Sequence, residues 1–140
     1  MDSADARARF AAARVARLAT VDAGGRPHLV PIVFAVAGDT VYSAVDDAKP
    51  KATTRLKRLA NIAANPNVAV MADHYDDDWT RLWWVRADGR ARVLEPEAAE
   101  AGRARDLLAA RYPQYRDRPP PGPVIAVDVE RWSGWAAAGG

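Results

Sequence analysis

Cysteine is absent from the 140 residues, which removes disulfide frameworks, thiolate zinc sites, iron–sulfur clusters and cysteine nucleophiles together. Histidine is nearly as scarce, with only His28 and His74. No apolar run approaches the ~18 residues of a membrane span, so no membrane partner is expected. Charge of one sign is also missing. Lys and Arg total 20 against 18 Asp and Glu, a formal net charge of +2. That balance excludes a histone-like polycation and leaves basic function to local clusters. The first 14 residues alternate alanine with arginine and aspartate and lack the apolar core of a secretory signal, which points to a cytoplasmic protein. Hydrophobic residues make up 49%, enough to fill the core of one domain spanning 1–140.

Spacing along the chain predicts a helix over 3–13, with Ser3 as its N-cap and Ala6, Phe10 and Ala13 as an apolar stripe. Three strands follow: Val15–Asp22, the nearly continuous apolar run His28–Val36, and Thr40–Val45, with glycine turns between them. Leu56, Leu59, Ala60 and Ala63 fall at helical spacing, and Asn65-Pro66 ends that helix. Strands at 67–73, 80–87 and 90–95 come next, the last two joined by an Asp88-Gly89 hairpin turn. Pro96 suits the first position of a helix reaching Arg111. A proline-rich loop over 112–123 leads to a last strand, Val124–Trp132. Strands in hairpin-linked runs argue against a doubly wound parallel sheet. They favour a mainly β fold of six or seven antiparallel strands, curled into a small barrel.

Few residues stand out chemically. Pro31 interrupts the most apolar strand, so that strand lies at an edge or carries a bulge where a ligand can meet the backbone of Val30–Val33. Lys49, Lys51, Arg55, Lys57 and Arg58 form the densest basic stretch, with no acidic residue among them. Lys49 and Lys51, in a loop before a helix, suit a phosphate, whereas Lys57 and Arg58 suit a solvated helix face. The cluster is too local for a nucleic-acid face. The acidic loop 73–78 lacks calcium-loop spacing, so no metal site is expected. His28 reads as a solvent-facing strand residue. No nucleophilic triad appears, and a proton would come from Tyr42, His28 or solvent. Trp83 and Trp84 are adjacent in a strand and point to opposite faces, so both faces need cover, which argues for a homodimer. Trp79, at a loop end, is placed to close over a planar ligand.

Taken in order, Leu18-Ala19-Thr20-Val21, Gly25-Arg26-Pro27-His28, Pro31-Ile32-Val33-Phe34, Val41-Tyr42-Ser43, Asp47-Ala48-Lys49-Pro50-Lys51, Asn65-Pro66, Asp76-Asp77-Asp78-Trp79 and Arg131-Trp132 resemble the pyridoxamine 5′-phosphate oxidase-like split-barrel superfamily, and within it the deazaflavin (coenzyme F420) branch. The resemblance spans Phe10 to Trp135. It implies a six-stranded antiparallel split barrel with flanking helices, a homodimer, and a cofactor in a groove between subunits. The backbone of Val30, Pro31, Ile32 and Val33 would meet the cofactor ring. Ser43, Ala44, Lys49 and Lys51 would hold phosphate, Arg55 would extend that set, and Trp79 would lie against the cofactor. Two departures set this chain apart from relatives that use flavin mononucleotide (FMN). Ala48 precedes Lys49 where those relatives carry arginine, and Ile32 stands near the position of their lysine. The C-terminal region that binds pyridoxal phosphate in vitamin B6 oxidases is not recognisable. The resemblance therefore implies an F420-dependent oxidoreductase acting on a small molecule, with the basic stretch facing the cofactor's polyglutamate tail. An FMN enzyme on the same fold, or a non-enzymatic protein that carries the ligand, are the alternatives.

Overall fold

In a computed structural model of the chain, residues 1–45 and 52–138 are described, with backbone alone for 52–56. Helix α1 (Ser3–Ala12) leads into β1 (Ala16–Val21), β2 (Pro27–Ile32), β3 (Ala35–Ala37) and β4 (Thr40–Ala44). Helix α2 (Ala52–Ala64) precedes β5 (Asn67–His74) and β6 (Trp83–Leu94), with a 3₁₀ turn at Trp79–Arg81 between them. Helices α3 (Ala99–Arg111) and α4 (Pro113–Asp117) then precede β7 (Val124–Ala136). All strands belong to one antiparallel sheet in the order β2-β1-β5-β6-β7-β4-β3.

That order forces closure. Strands β2 and β3 are the two ends of the sheet, yet only Val33 and Phe34 separate them in the chain. Seven flat strands would span ~29 Å at the usual ~4.8 Å spacing. Three residue steps, from Ile32 to Ala35, reach at most ~11 Å. The sheet must curl until its edges nearly meet, which is a barrel split along the β2/β3 seam.

The interior is filled from α1 and alternate strand positions. Phe10 of α1 lies with ring centroids 4.8 Å from Phe34 and 5.3 Å from Trp132, and the three rings meet Leu18, Val70, Val85, Ile125 and Val127 in one buried cluster. Helix α3 covers the outer face over β3, β4 and the start of β7, where Ala101, Ala104 and Leu108 pack on Val124, Ala35 and Ala44.

Several sequence expectations change, each for a local reason. The barrel has seven strands where the resemblance implies six: the apolar run 28–36 breaks at Val33-Phe34 into β2 and β3, and the expected strands 80–87 and 90–95 are one strand, β6. At the break Phe34 donates its N–H to Tyr112 Oη (3.2 Å), and its carbonyl accepts from Arg111 Nη1 (2.8 Å), so side chains of the last residue of α3 and of its C-cap take over its ladder groups. Asp88-Gly89 makes no hairpin. Strand β6 runs through it, paired to β7 with a bulge at Glu130, and a Cβ on Gly89 would run into the Asp128 carbonyl oxygen. The glycine serves close backbone approach. Asp2, not Ser3, caps α1 by accepting from the Asp5 N–H at 2.8 Å. Helix α3 starts at Ala99, after a turn closed by Ala98 N–H on the Glu95 carbonyl, so Pro96 precedes it. Pro113 opens the short α4 inside what reads as loop. Asp78 caps the 3₁₀ turn through Thr80 N–H (3.1 Å), which delays β6 to Trp83.

Candidate functional site

The seam leaves a hollow of about 340 Å³, lined by Val15, Pro31, Ile32, Val33, Ser43, Ala44, Arg58 and Tyr115. Its position follows from the fold. Strand β2 has a neighbour on one side only, so half of its backbone groups face no strand, and Pro31 sits on this edge. Across the gap, Ser43 and Ala44 end β4, and Ser43 Oγ donates to the Val33 carbonyl at 3.0 Å. That bond ties the two sides of the seam together. Ile32 is 7% exposed and presents an apolar side chain.

Among the described residues, the one charged group lining the hollow is Arg58 of α2. Its Nε is buried with no hydrogen-bond partner among the described residues, and burial pushes the guanidinium's pKa down. A buried guanidinium N–H with no described acceptor leaves donor capacity that a bound anion can fill. Among the described residues, the hollow thus offers an open strand edge, apolar walls and one cation. These are the features that a flat ring carrying an anionic group requires.

Five of the predicted residues meet here: Pro31, Ile32, Val33, Ser43 and Ala44. Val30 packs inward against the core instead. Lys49 and Lys51 lie outside the described residues, as does the side chain of Arg55, although its backbone falls within α2. Trp79 is 75% exposed on its 3₁₀ turn and does not line the hollow of its own chain.

Three residues of the lining escape the sequence reading: Val15, Arg58 and Tyr115. The signal for Arg58 was its spacing. It stands four residues before buried Ile62, on the side of α2 that turns inward.

Neither candidate proton donor reaches the site. Tyr42 donates to Glu100 Oε2 at 2.7 Å beneath α3, and burial together with the Glu100 charge pushes its pKa up. His28 is half-buried rather than solvent-facing, because its register opposite Thr20 turns it to the inner face. The acidic loop folds on itself, with His74 Nε2 2.8 Å from Asp76 Oδ2 and Asp76 Oδ1 accepting from Asp78 N–H. Among the described residues no acidic or histidine cluster is arranged for a metal ion, and no helix is long and apolar enough to cross a membrane.

A model of the family described as pyridoxamine 5′-phosphate oxidase matches residues 3–136. No match is found among curated proteins. Solved structures share the fold. A FAD-binding protein from Mesorhizobium loti superposes with a TM-score of 0.73 at 24% identity, covering 96% of this chain and 94% of that one. A heme storage protein from Vibrio cholerae gives 0.72 at 17%, covering 97% and 95%. A putative 5-nitroimidazole antibiotic resistance protein from Bacteroides thetaiotaomicron gives 0.65 at 20%, covering 95% and 82%.

Proposed function

This chain belongs to the pyridoxamine 5′-phosphate oxidase family, and from that premise we propose that it is an oxidoreductase that holds a deazaflavin, coenzyme F420, at the β2/β3 seam and acts on a small organic molecule. The observation that carries this reading is the hollow itself, where an exposed strand edge, Ile32 and Arg58 converge. The Pro31–Val33 backbone would lie along the ring, and the walls of Ile32, Val33 and Ala44 would exclude water from one side of it. When bound, the deazaflavin supplies two-electron hydride chemistry of its own, so the protein needs no nucleophile or metal beside it. The side chains here bind and orient.

Ile32 favours deazaflavin over flavin. Charge beside a flavin ring tunes its electronics, and the lysine that resembling FMN enzymes carry near this position is replaced by an apolar, buried side chain. A heme-binding role, suggested by the Vibrio cholerae neighbour, finds no histidine, cysteine or methionine among the described residues of the lining. The substrate would approach from the open side of the hollow.

A second copy would complete the site. Helix α3 covers only part of the outer sheet face, and Leu29, Pro31, Met71, Trp84 and Trp135 remain on the rest. Trp84 sits directly opposite Trp135 in the ladder, and Trp135 is 49% exposed. Pro31 belongs both to this face and to the hollow. A homodimer through this face would bring a partner to the rim of each site.

Titration with each cofactor, followed by quenching of tryptophan fluorescence, tests the reading. Oxidised F420 is expected to bind at least about tenfold more tightly than FMN, a difference of ~1.4 kcal/mol. Equal affinities, or tighter FMN, would move the flavin alternative into first place.

A further inference from the structure

Three residues that line the seam hollow come from separate parts of the chain: Val15 between α1 and β1, Val33 at the break between β2 and β3, and Tyr115 in α4. Each stands next to a contact of one buried side chain outside the lining, that of Tyr112. The Tyr112 hydroxyl accepts the Phe34 N–H at 3.2 Å and lies 3.0 Å from two carbonyl oxygens, those of Phe34 and Arg14. A phenol has one proton to give. The Phe34 carbonyl also accepts from Arg111 Nη1 at 2.8 Å, so it stays paired when the Tyr112 proton goes to Arg14. Arg111 Nη2 donates to the Ala13 carbonyl at 2.6 Å, and Arg14 Nη2 returns a bond to the Arg111 carbonyl at 2.8 Å. Two consecutive side chains thus grip the open end of the β1/β2 hairpin.

That grip acts one residue away from the hollow. Val15 follows Arg14, and Val33 precedes Phe34 while its own carbonyl takes the Ser43 proton across the seam. Tyr115 packs edge-on to Tyr112, with ring centroids 6.1 Å apart. Arg14 and Phe34 lie beyond the last β1/β2 pair, Ala16 with Ile32, so side chains take the place of ladder bonds there.

We propose that Tyr112, with Arg111, is a positioning residue for the hollow. Its hydroxyl bridges Arg14 and Phe34 and so holds Val15 and Val33 at a fixed spacing, while its ring sets Tyr115. Without the bridge these walls would sample several spacings, and a ligand would have to order them on binding, which lowers affinity. That the ligand is a deazaflavin rests on the cofactor reading above; the setting of the walls does not.

Tyr112→Phe deletes the hydroxyl and keeps the ring, from whose centroid the Arg14 and Arg111 guanidinium carbons stand 4.8 and 5.3 Å. The first measurement needs no ligand. Methyl resonances of Val15 and Val33 are expected to shift or broaden in this variant, and those of Val70 and Val85, in β5 and β6, to stay in place. The second is affinity for F420, followed by tryptophan quenching at a temperature where every variant is fully folded. Tyr112→Phe should bind about tenfold more weakly, the scale of one hydrogen bond lost from a preorganised wall. Val85→Ala, which thins the core at the middle strand without touching the grip, should bind within about twofold of the parent.

Unmoved Val15 and Val33 methyls overturn the proposal. So does parental affinity in Tyr112→Phe, or a loss in Val85→Ala as large as that in Tyr112→Phe, because a merely structural hydroxyl gives those results. If the parent does not bind F420, the cofactor reading falls and the methyl result decides alone. If Tyr112→Phe fails to fold, Arg111→Lys decides, since it keeps the charge without the fork that spans the Ala13 and Phe34 carbonyls. Moved methyls with severalfold weaker binding then sustain the proposal, and parental values of either overturn it.

Discussion

Glu100 shows how much a single side chain can gather. Its carboxylate accepts from Arg92 Nη1 and Nη2, each at 3.0 Å, and from Tyr42 Oη at 2.7 Å, while Arg92 also reaches Asp128 through Nε at 2.6 Å. One carboxylate so joins α3, β4 and β6 and, through Arg92, β7. The Arg92 hydrogen bonds first, then that of Tyr42, hold the Glu100 carboxyl down to about 2. A carboxylate with a depressed folded-state pKa stabilises the fold fully above its unfolded value, near 4.5, and loses that contribution as pH falls toward 2. Arg92 is 43% exposed at its side chain, so solvent screening keeps the worth of the pair small. Glu100→Gln is expected to lower stability at pH 7 by about 1 kcal/mol or less. Urea melts at pH 7 and pH 2.5 should show the gap between parent and variant narrowing in acid. A gap of equal size at both pH values would mean that the charge contributes nothing.

At the scale of elements, the sequence carried what repeats and hid what depends on remote contacts. Strand β1, helix α2 and strand β5 follow from local periodicity and from the Asn65-Pro66 stop. The break between β2 and β3 does not. Its cause is Tyr112 and Arg111, 77 or more residues away, whose side chains reach the backbone of Phe34. Asp88-Gly89 misleads for the same reason, since the need for glycine comes from the Asp128 carbonyl of another strand and not from a turn. The site was legible in part. Pro31 announced an edge strand, and the residues around it line the hollow. Arg58 was hidden by its charge, which reads as solvated until the packing of Ile62 fixes the side of α2 that faces in.

The whole molecule is a sheet curled by one short connection, and its features lie where that curl is incomplete. The seam holds the hollow, and the outer face beyond α3 holds Trp84 and Trp135. Under the proposal of a second copy, the Trp84–Trp135 pair is where it would dock. Light scattering at micromolar concentration is expected to give twice the 15.2 kDa of one chain, and Trp84→Glu should shift the protein toward the monomer. A parent at the single-chain mass would remove the second copy from the site. The claim on which the rest depends is that the cofactor occupies the seam. Amide hydrogen exchange with and without saturating F420 tests it most directly. Slowed exchange is predicted at Ile32–Phe34, Ser43–Ala44 and the turn of α2 around Arg58. Protection confined to the separate groove of Tyr42, Arg103 and Leu107 under α3, with the seam unchanged, would contradict the account.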